Sequence, residues 1–255
     1  MTRRRVSVVL FCFFAALFIF SAWQIATTLA AYQRASDYYE ALRLLSNPPV
    51  EIRLASTDEP GVTAAAAPAT VDFTRLCAAN SDTVAWIRSD GTVIDYPVLQ
   101  ADDNAFYLTR LFDQSTSRSG SIFLDSRNQP DFSDAHSIIY GYHMKDGSMF
   151  YSLSNYKEQD YFDAHPRLRL ETPAQCYDIL LFAGYVADVK DDAWKIAFAS
   201  SDEFGRWLSD AVARSCFVSD VSPAATDCVV TLSTCSYEFE NARFVLLGVL
   251  RADSG

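Results

Sequence analysis

The chain has 255 residues, half of them hydrophobic, with 18 Phe and 13 Tyr, enough apolar side chain to bury one sizeable core. Its formal net charge is −11 although arginines crowd the amino terminus, so the remainder is more acidic still. That balance argues against nucleic acid or an anionic lipid surface as a partner of the main body.

Arg3, Arg4 and Arg5 precede VSVVLFCFFAALFIFSAWQIATTLAA, an uncharged run long enough to cross a bilayer. Basic residues ahead of a span stay in the cytoplasm. This predicts a cytoplasmic tail over 1–5, a single-pass cell-membrane anchor over 6–28, and an extracytoplasmic remainder. A cleaved signal peptide ending near Leu29-Ala30-Ala31 is the alternative. The apolar run exceeds a secretory core in length, and no turn residue separates it from Leu29, which favours a retained anchor. Next, YQRASDYYEALRLLS has helical composition and stops at Asn47-Pro48-Pro49. STDEPGVTAAAAPAT has no hydrophobic periodicity and reads as a linker. Residues 29–70 are therefore expected to form a helical stalk and linker, and the folded domain to occupy 71–255.

That domain opens with a short helix and turns to strands at TVAWIR and TVIDYPVL, punctuated by Asp90-Gly91. Strand-like segments recur at SIFLD, SIIYGYH, RLRLET and QCYDILLFAGYVAD. One clear helix follows in SDEFGRWLSDAVARS, where Phe204, Trp207, Leu208, Ala211 and Val212 fall on one apolar stripe and are expected in the core. Many short strands with few helices predict a mainly-β fold, a closed β-barrel with helices packed outside.

Cys12 lies in the anchor. Cys77, Cys176, Cys216 and Cys228 lack CxxC spacing and paired histidines, which argues against zinc. An extracytoplasmic location permits a disulfide among those four, with buried free thiols the preferred reading. Asp188-Val189-Lys190-Asp191-Asp192 reads as a solvated loop without calcium-loop spacing. No nucleotide loop, HExxH or EF-hand pattern is present, so no metal and no cofactor is expected.

Near the end of the chain, CVVTLSTC and RFVLLGVL are β-branched and apolar, and SYEFENA between them is polar, a pattern for two antiparallel strands joined by a loop. If Cys235 and Arg243 stand near-opposite in that hairpin, thiol and guanidinium share one face. A nearby cation favours the nucleophilic thiolate, and a guanidinium can donate to an oxygen on which negative charge builds. A lone cysteine is more often a small buried hydrophobe, but the pairing with Arg243 points to chemistry.

TLSTC with an arginine on the following strand resembles the signature of the sortases, membrane-anchored cysteine transpeptidases of Gram-positive cell surfaces. VAWIR, DYPVLQ, DNAFYL, GSIFLD and IIYGYHMKDGSMF follow in the order seen in class B members, so the resemblance covers most of the chain beyond position 71. It implies an eight-stranded barrel with an added amino-terminal helical segment. It also implies thioester formation on Cys235 with the acyl part of a sorting signal, then transfer to an amine of a peptidoglycan precursor or a pilin lysine. By the same resemblance Arg243 holds substrate and oxyanion, Ser233 and Thr234 are wall residues, and Asn104 and Leu108 match positions near the peptide groove, with a structural role as their alternative. A general papain-like protease is poorly supported, because its motifs around the cysteine are absent.

One departure stands out. The family places its histidine directly after the glycine, and here Tyr142 holds that slot in Tyr140-Gly141-Tyr142-His143. Three readings follow. His143, matching a second histidine of some relatives, serves as the acid after a local backbone shift. Alternatively Tyr142 fills the slot as a hydrogen-bond donor, or the protein binds sorting-signal peptides without turnover. His143 is the expected acid, and Tyr142 is expected at the substrate. His136 and His165 are expected in structural places.

Overall fold

A computed structural model describes residues 2–46 and 71–253; the linker expected at STDEPGVTAAAAPAT falls outside them. The long first helix, α1 (Thr2–Ser46), runs without interruption through the apolar stretch and beyond it. Within its Leu10–Leu44 segment an 18-residue window has a mean hydropathy of 1.9, and the helix is long and apolar enough to cross a membrane. Two halves differ in their surroundings. Phe11, Phe14, Phe18 and Ile25 stand exposed, whereas Ala35, Tyr39 and Leu42, one helical stripe, are buried against the body of the protein. The Tyr39 hydroxyl bonds Ser121 Oγ at 3.0 Å, its ring packs edge-on against Tyr96 at 5.2 Å, and the Arg43 guanidinium lies over Tyr96.

After α2 (Phe73–Ala79) come β1 (Thr83–Arg88), β2 (Asp95–Leu99), β3 (Ile122–Leu124) and β4 (His136–Tyr140). Then follow α3 (Gln159–Ala164), β5 (Arg167–Glu171), β6 (Cys176–Asp188), α4 (Ser201–Arg214), β7 (Val229–Cys235) and β8 (Ala242–Ala252). The eight strands close a barrel, as the family resemblance implied, and their order is β1-β2-β3-β4-β7-β8-β6-β5. Two neighbours are parallel, β2 with β3 and β4 with β7. The second strand starts only at Asp95, because the Thr92 hydroxyl donates to the Ser89 carbonyl and accepts from the Ile94 N–H, holding 89–94 in a turn.

Alternation along β7 and β8 separates two apolar layers. Val230, Leu232, Phe244 and Leu246 fill the barrel interior with Trp86, Ile122 and Phe150. Val229, Val245, Leu247 and Val249 point outward and are covered by Phe204, Trp207, Leu208 and Ala211 of α4. Val212 departs from expectation: 45% of its surface is exposed, because it sits at the edge of the helix stripe. Ser200 caps α4 by accepting from the Glu203 N–H. All six cysteines are free; Cys77, Cys176 and Cys228 are half-buried, and Cys216 is exposed where a buried thiol was expected.

His136 lies within the outer layer, fully buried, its ring 4.5 Å from that of Trp207. The Lys195 carbonyl only accepts, so Nδ1 carries the proton across that 2.7 Å contact, and Nε2 accepts from Thr231 Oγ1 at 2.7 Å. His165 is only half-buried, its Nδ1 3.0 Å from the Asp90 carbonyl. Burial pushes the His136 imidazole down to about 4, opposed by the Lys195 carbonyl. An unfolded histidine titrates near ~6.5, so the unfolded chain binds the extra proton first as pH falls. The neutral ring's contribution is thus complete above about pH 6.5 and is lost on the way to about pH 4. Urea unfolding between those values should show wild type losing roughly 3 kcal/mol that a His136→Gln variant does not lose.

Candidate active site

Register determines which side chains meet on the outer wall of the barrel. Phe123 pairs with Tyr140, Tyr140 with Ser233, and Ser233 with Val245. Two residues further along, Cys235 pairs directly with Arg243. The parallel pairing continues past β4, since the Gly141 N–H donates to the Ser233 carbonyl at 3.1 Å. Because alternate residues share a face, Tyr142 extends the row of Tyr140 and comes beside Cys235, as Cys235 extends the row of Ser233. Gly141 is required there by close packing: a Cβ would stand 2.4 Å from Ile122 Cδ1 and 2.6 Å from the Phe150 ring.

These residues form the floor of a cleft of about 440 Å³, with Tyr142, Ser233, Thr234, Cys235 and Arg243 along it. Asn104 and Leu108 stand on one wall, Val189 and Trp194 on the other. Seven of the eight residues anticipated at the site therefore meet in one place. The eighth does not. His143 forms a bridge with Met149, and its side chain does not line the cleft. Its ring packs on Tyr151 at 4.6 Å and Tyr237 at 5.5 Å, and Nε2 lies 3.2 Å from Ser154 Oγ. The expected shift of the imidazole toward the thiol is not seen: His143 is not among the residues that line the cleft. Partial burial lowers the His143 imidazole below its usual value, and the Lys157 ammonium pushes the same way.

Sequence reasoning passed over Tyr140, Phe123 and Trp194. Period-two spacing from Tyr142 marks Tyr140; Trp194 carries no local signal, since it enters from the turn after β6. Trp194 Nε1 donates to Ser233 Oγ at 3.3 Å. Beneath the cleft, the buried Asp125 carboxylate accepts from the Tyr140 hydroxyl at 2.8 Å and from two nitrogens of Arg127 at 2.8 Å. Burial works against its charge, but those donors win and hold the carboxyl at about 2. Asn104 is fixed by accepting from the Ser126 N–H at 2.7 Å.

Electrostatically the cleft is simple. Arg243 makes no ion pair among the described residues and donates only to the Ala242 carbonyl, at 3.0 Å. Its charge is available to a substrate oxygen. Burial raises the Tyr142 phenol above its usual value; the Cys235 sulfur adds to that and Arg243 opposes it.

No protein-family model matches the chain. Two curated proteins do, both described as sortase B. The one from Listeria monocytogenes is 38% identical over 173 residues, 67% of this chain and 70% of that protein. The one from Staphylococcus aureus is 32% identical over 177 residues, 69% of this chain and 72% of that protein. The chain belongs to the class B sortases.

Solved sortase B structures agree with its fold. The Staphylococcus aureus sortase B–substrate complex superposes with a TM-score of 0.68 at 31% identity, covering 71% of this chain and 85% of that one. A sortase B complexed with triglycine gives a TM-score of 0.68 at 32% identity, covering 71% and 86%. This sortase therefore shares a cysteine transpeptidase scaffold.

Asp125→Asn should lower the unfolding free energy by about 2 kcal/mol at neutral pH, through loss of charge-assisted bonds to Arg127 and Tyr140. The carboxylate's contribution is complete above an unfolded pKa of about 3.8 and disappears as pH falls toward 2. The deficit of the variant should shrink over that acid range in paired urea titrations.

Proposed function

We propose that this sortase is a membrane-anchored transpeptidase that acts on the carboxyl-terminal sorting signal of secreted proteins. The observation that carries it is the direct pairing of Cys235 with Arg243 in the floor of an open cleft. Cys235 thiolate attacks the signal's scissile carbonyl carbon. Negative charge moves to the carbonyl oxygen, where the Arg243 guanidinium meets it. Collapse expels the carboxyl-terminal fragment and leaves a thioester. An amine then attacks, and the acyl group leaves sulfur for nitrogen.

Asn104, Leu108, Tyr142, Ser233 and Thr234 line the peptide's path. A relative crystallised with substrate and another with triglycine support a peptide donor and an amine acceptor, here a peptidoglycan precursor or a pilin lysine. The exposed apolar half of α1 is the anchor, over about residues 6–28. Arg3, Arg4 and Arg5 lie on its cytoplasmic side, and 71–255 is the extracytoplasmic catalytic domain. The mechanism calls for neither metal nor cofactor.

A second reading has one observation in its favour: among the described residues no imidazole lines the cleft. On that reading the protein binds sorting signals without cleaving them. Intact mass of the detergent-solubilised chain, mixed with a panel of sorting-signal peptides, separates the two. An acyl adduct in wild type, absent in Cys235→Ala and formed on the order of 100-fold more slowly in Arg243→Ala, is the expected result. Saturable binding with no adduct from any peptide would transfer the assignment to the binding protein.

A further inference from the structure

Acyl transfer moves a proton at two moments: one is given to the amine that leaves and one is taken from the amine that arrives. The cleft holds few groups able to move one. Aliphatic hydroxyls ionise far too weakly, and Arg243 does not release a proton at any working pH. Among the residues lining the cleft, this leaves the phenols of Tyr140 and Tyr142. Tyr140 is committed, its O–H donating to buried Asp125 at 2.8 Å. Tyr142 is not: its hydroxyl has no hydrogen-bond partner among the described residues. It extends the Tyr140 row to stand beside Cys235 and Arg243.

Resting on the transpeptidase reading above, we propose that Tyr142 is the proton-transfer residue of this enzyme and that His143 is a positioning residue. In the first half-reaction, the bond from Cys235 Sγ to the carbonyl carbon forms and the carbon–nitrogen bond breaks. The phenolic proton passes to the departing nitrogen, leaving a phenolate beside the Arg243 guanidinium. In the second, the incoming amine bonds to the thioester carbon. Its surplus proton goes to the phenolate, and the sulfur departs as thiolate. Phenol, thiolate and charges return to their starting state, so no further reactant is consumed. The thiol's initial proton is lost to water, since no base lines the cleft.

His143 serves the loop that presents Tyr142. Its ring packs against both Tyr151 and Tyr237, and Ser154 Oγ lies 3.2 Å from its Nε2.

A phenol and an imidazole leave different marks on a pH profile, because free phenols titrate near ~10 and imidazoles near ~6.5. The test is single-turnover acylation of Cys235, followed by intact mass in the full detergent-solubilised chain between about pH 6 and 11. Wild type should show no inflection near 6.5 and should decline only above about pH 10, where the acid form of Tyr142 is lost. Tyr142→Phe keeps the ring's packing and should slow acylation on the order of 100-fold, removing the alkaline decline. Tyr142→His should regain activity with its optimum moved toward neutral pH, a shift that a merely structural tyrosine would not produce. His143→Ala should retain the wild-type profile at a reduced rate.

Equal rates and profiles for wild type and Tyr142→Phe would overturn the assignment while leaving the transpeptidase intact. So would loss of a neutral-pH inflection on His143→Ala. No acylation of wild type at any pH would instead remove the transpeptidase reading, and Tyr142's role with it.

Discussion

Everything at the candidate site depends on one parallel pairing, β4 against β7. Strands adjacent in a barrel transmit side-chain parity to each other, because residues in register point to the same side. Tyr140 opposite Ser233 therefore decides that Tyr142 accompanies Cys235. The antiparallel pairing of β7 with β8 then adds Arg243. A one-residue slip between β4 and β7 would bring His143 to the thiol and carry Tyr142 inward. That slip is opposed by every buried residue of β4, and by Gly141, whose missing Cβ lets Ile122 and Phe150 close against it.

Polar groups lock the same strand from both ends. His136 at its start is held by Lys195 and Thr231, and Asn128 bonds its backbone carbonyl at 2.8 Å. Tyr140 at its end is held by Asp125. Beyond the strand, the Tyr96 hydroxyl accepts from the Met149 N–H at 3.0 Å, and the Phe150 N–H donates to the Tyr142 carbonyl at 3.0 Å. Met149 sits at a positive φ of 57°, a backbone state that favours neighbours able to hold it. Tyr96 in turn is packed by Tyr39 and Arg43 of α1. The helix that carries the apolar segment is thus continuous, through two aromatic contacts, with the loop that presents Tyr142.

How much of this was legible in the sequence varied with the range of the interaction. The Cys235–Arg243 pairing was, because a hairpin is local and a short polar loop between two apolar runs leaves little choice of register. The barrel was legible from strand spacing and from family resemblance together, whereas its strand order joins β4 to β7 across 88 residues that no local pattern connects. The placement of His143 failed for the same reason. Which of Tyr142 and His143 comes beside Cys235 follows from the pairing of β4 with a strand nearly a hundred positions away, and a motif read along the chain carries no parity relative to that partner. Val212 shows the smaller version: helical spacing names a stripe but not how wide a face the barrel covers.

The replacement of an imidazole by a phenol changes the proton chemistry of the cleft while leaving its charge chemistry alone. On the proposed mechanism Arg243 meets the oxyanion; it lies unpaired with any carboxylate among the described residues, so its field acts on whatever anion forms nearby. A neutral phenol does not compete with that field as a second cation would. It becomes charged only when it has given up its proton, and at that moment the guanidinium is its natural counter-ion. A protonated imidazole in the same place would add positive charge to Arg243 and favour the thiolate from the outset. A tyrosine supplies none, which leaves Arg243 as the cation paired with Cys235. On the two proposals together, the scaffold keeps the nucleophile and the oxyanion site that the family resemblance implies, while acid–base work shifts to more alkaline conditions. Burial of the Tyr142 ring, which raises its phenol further, moves the site in that same direction.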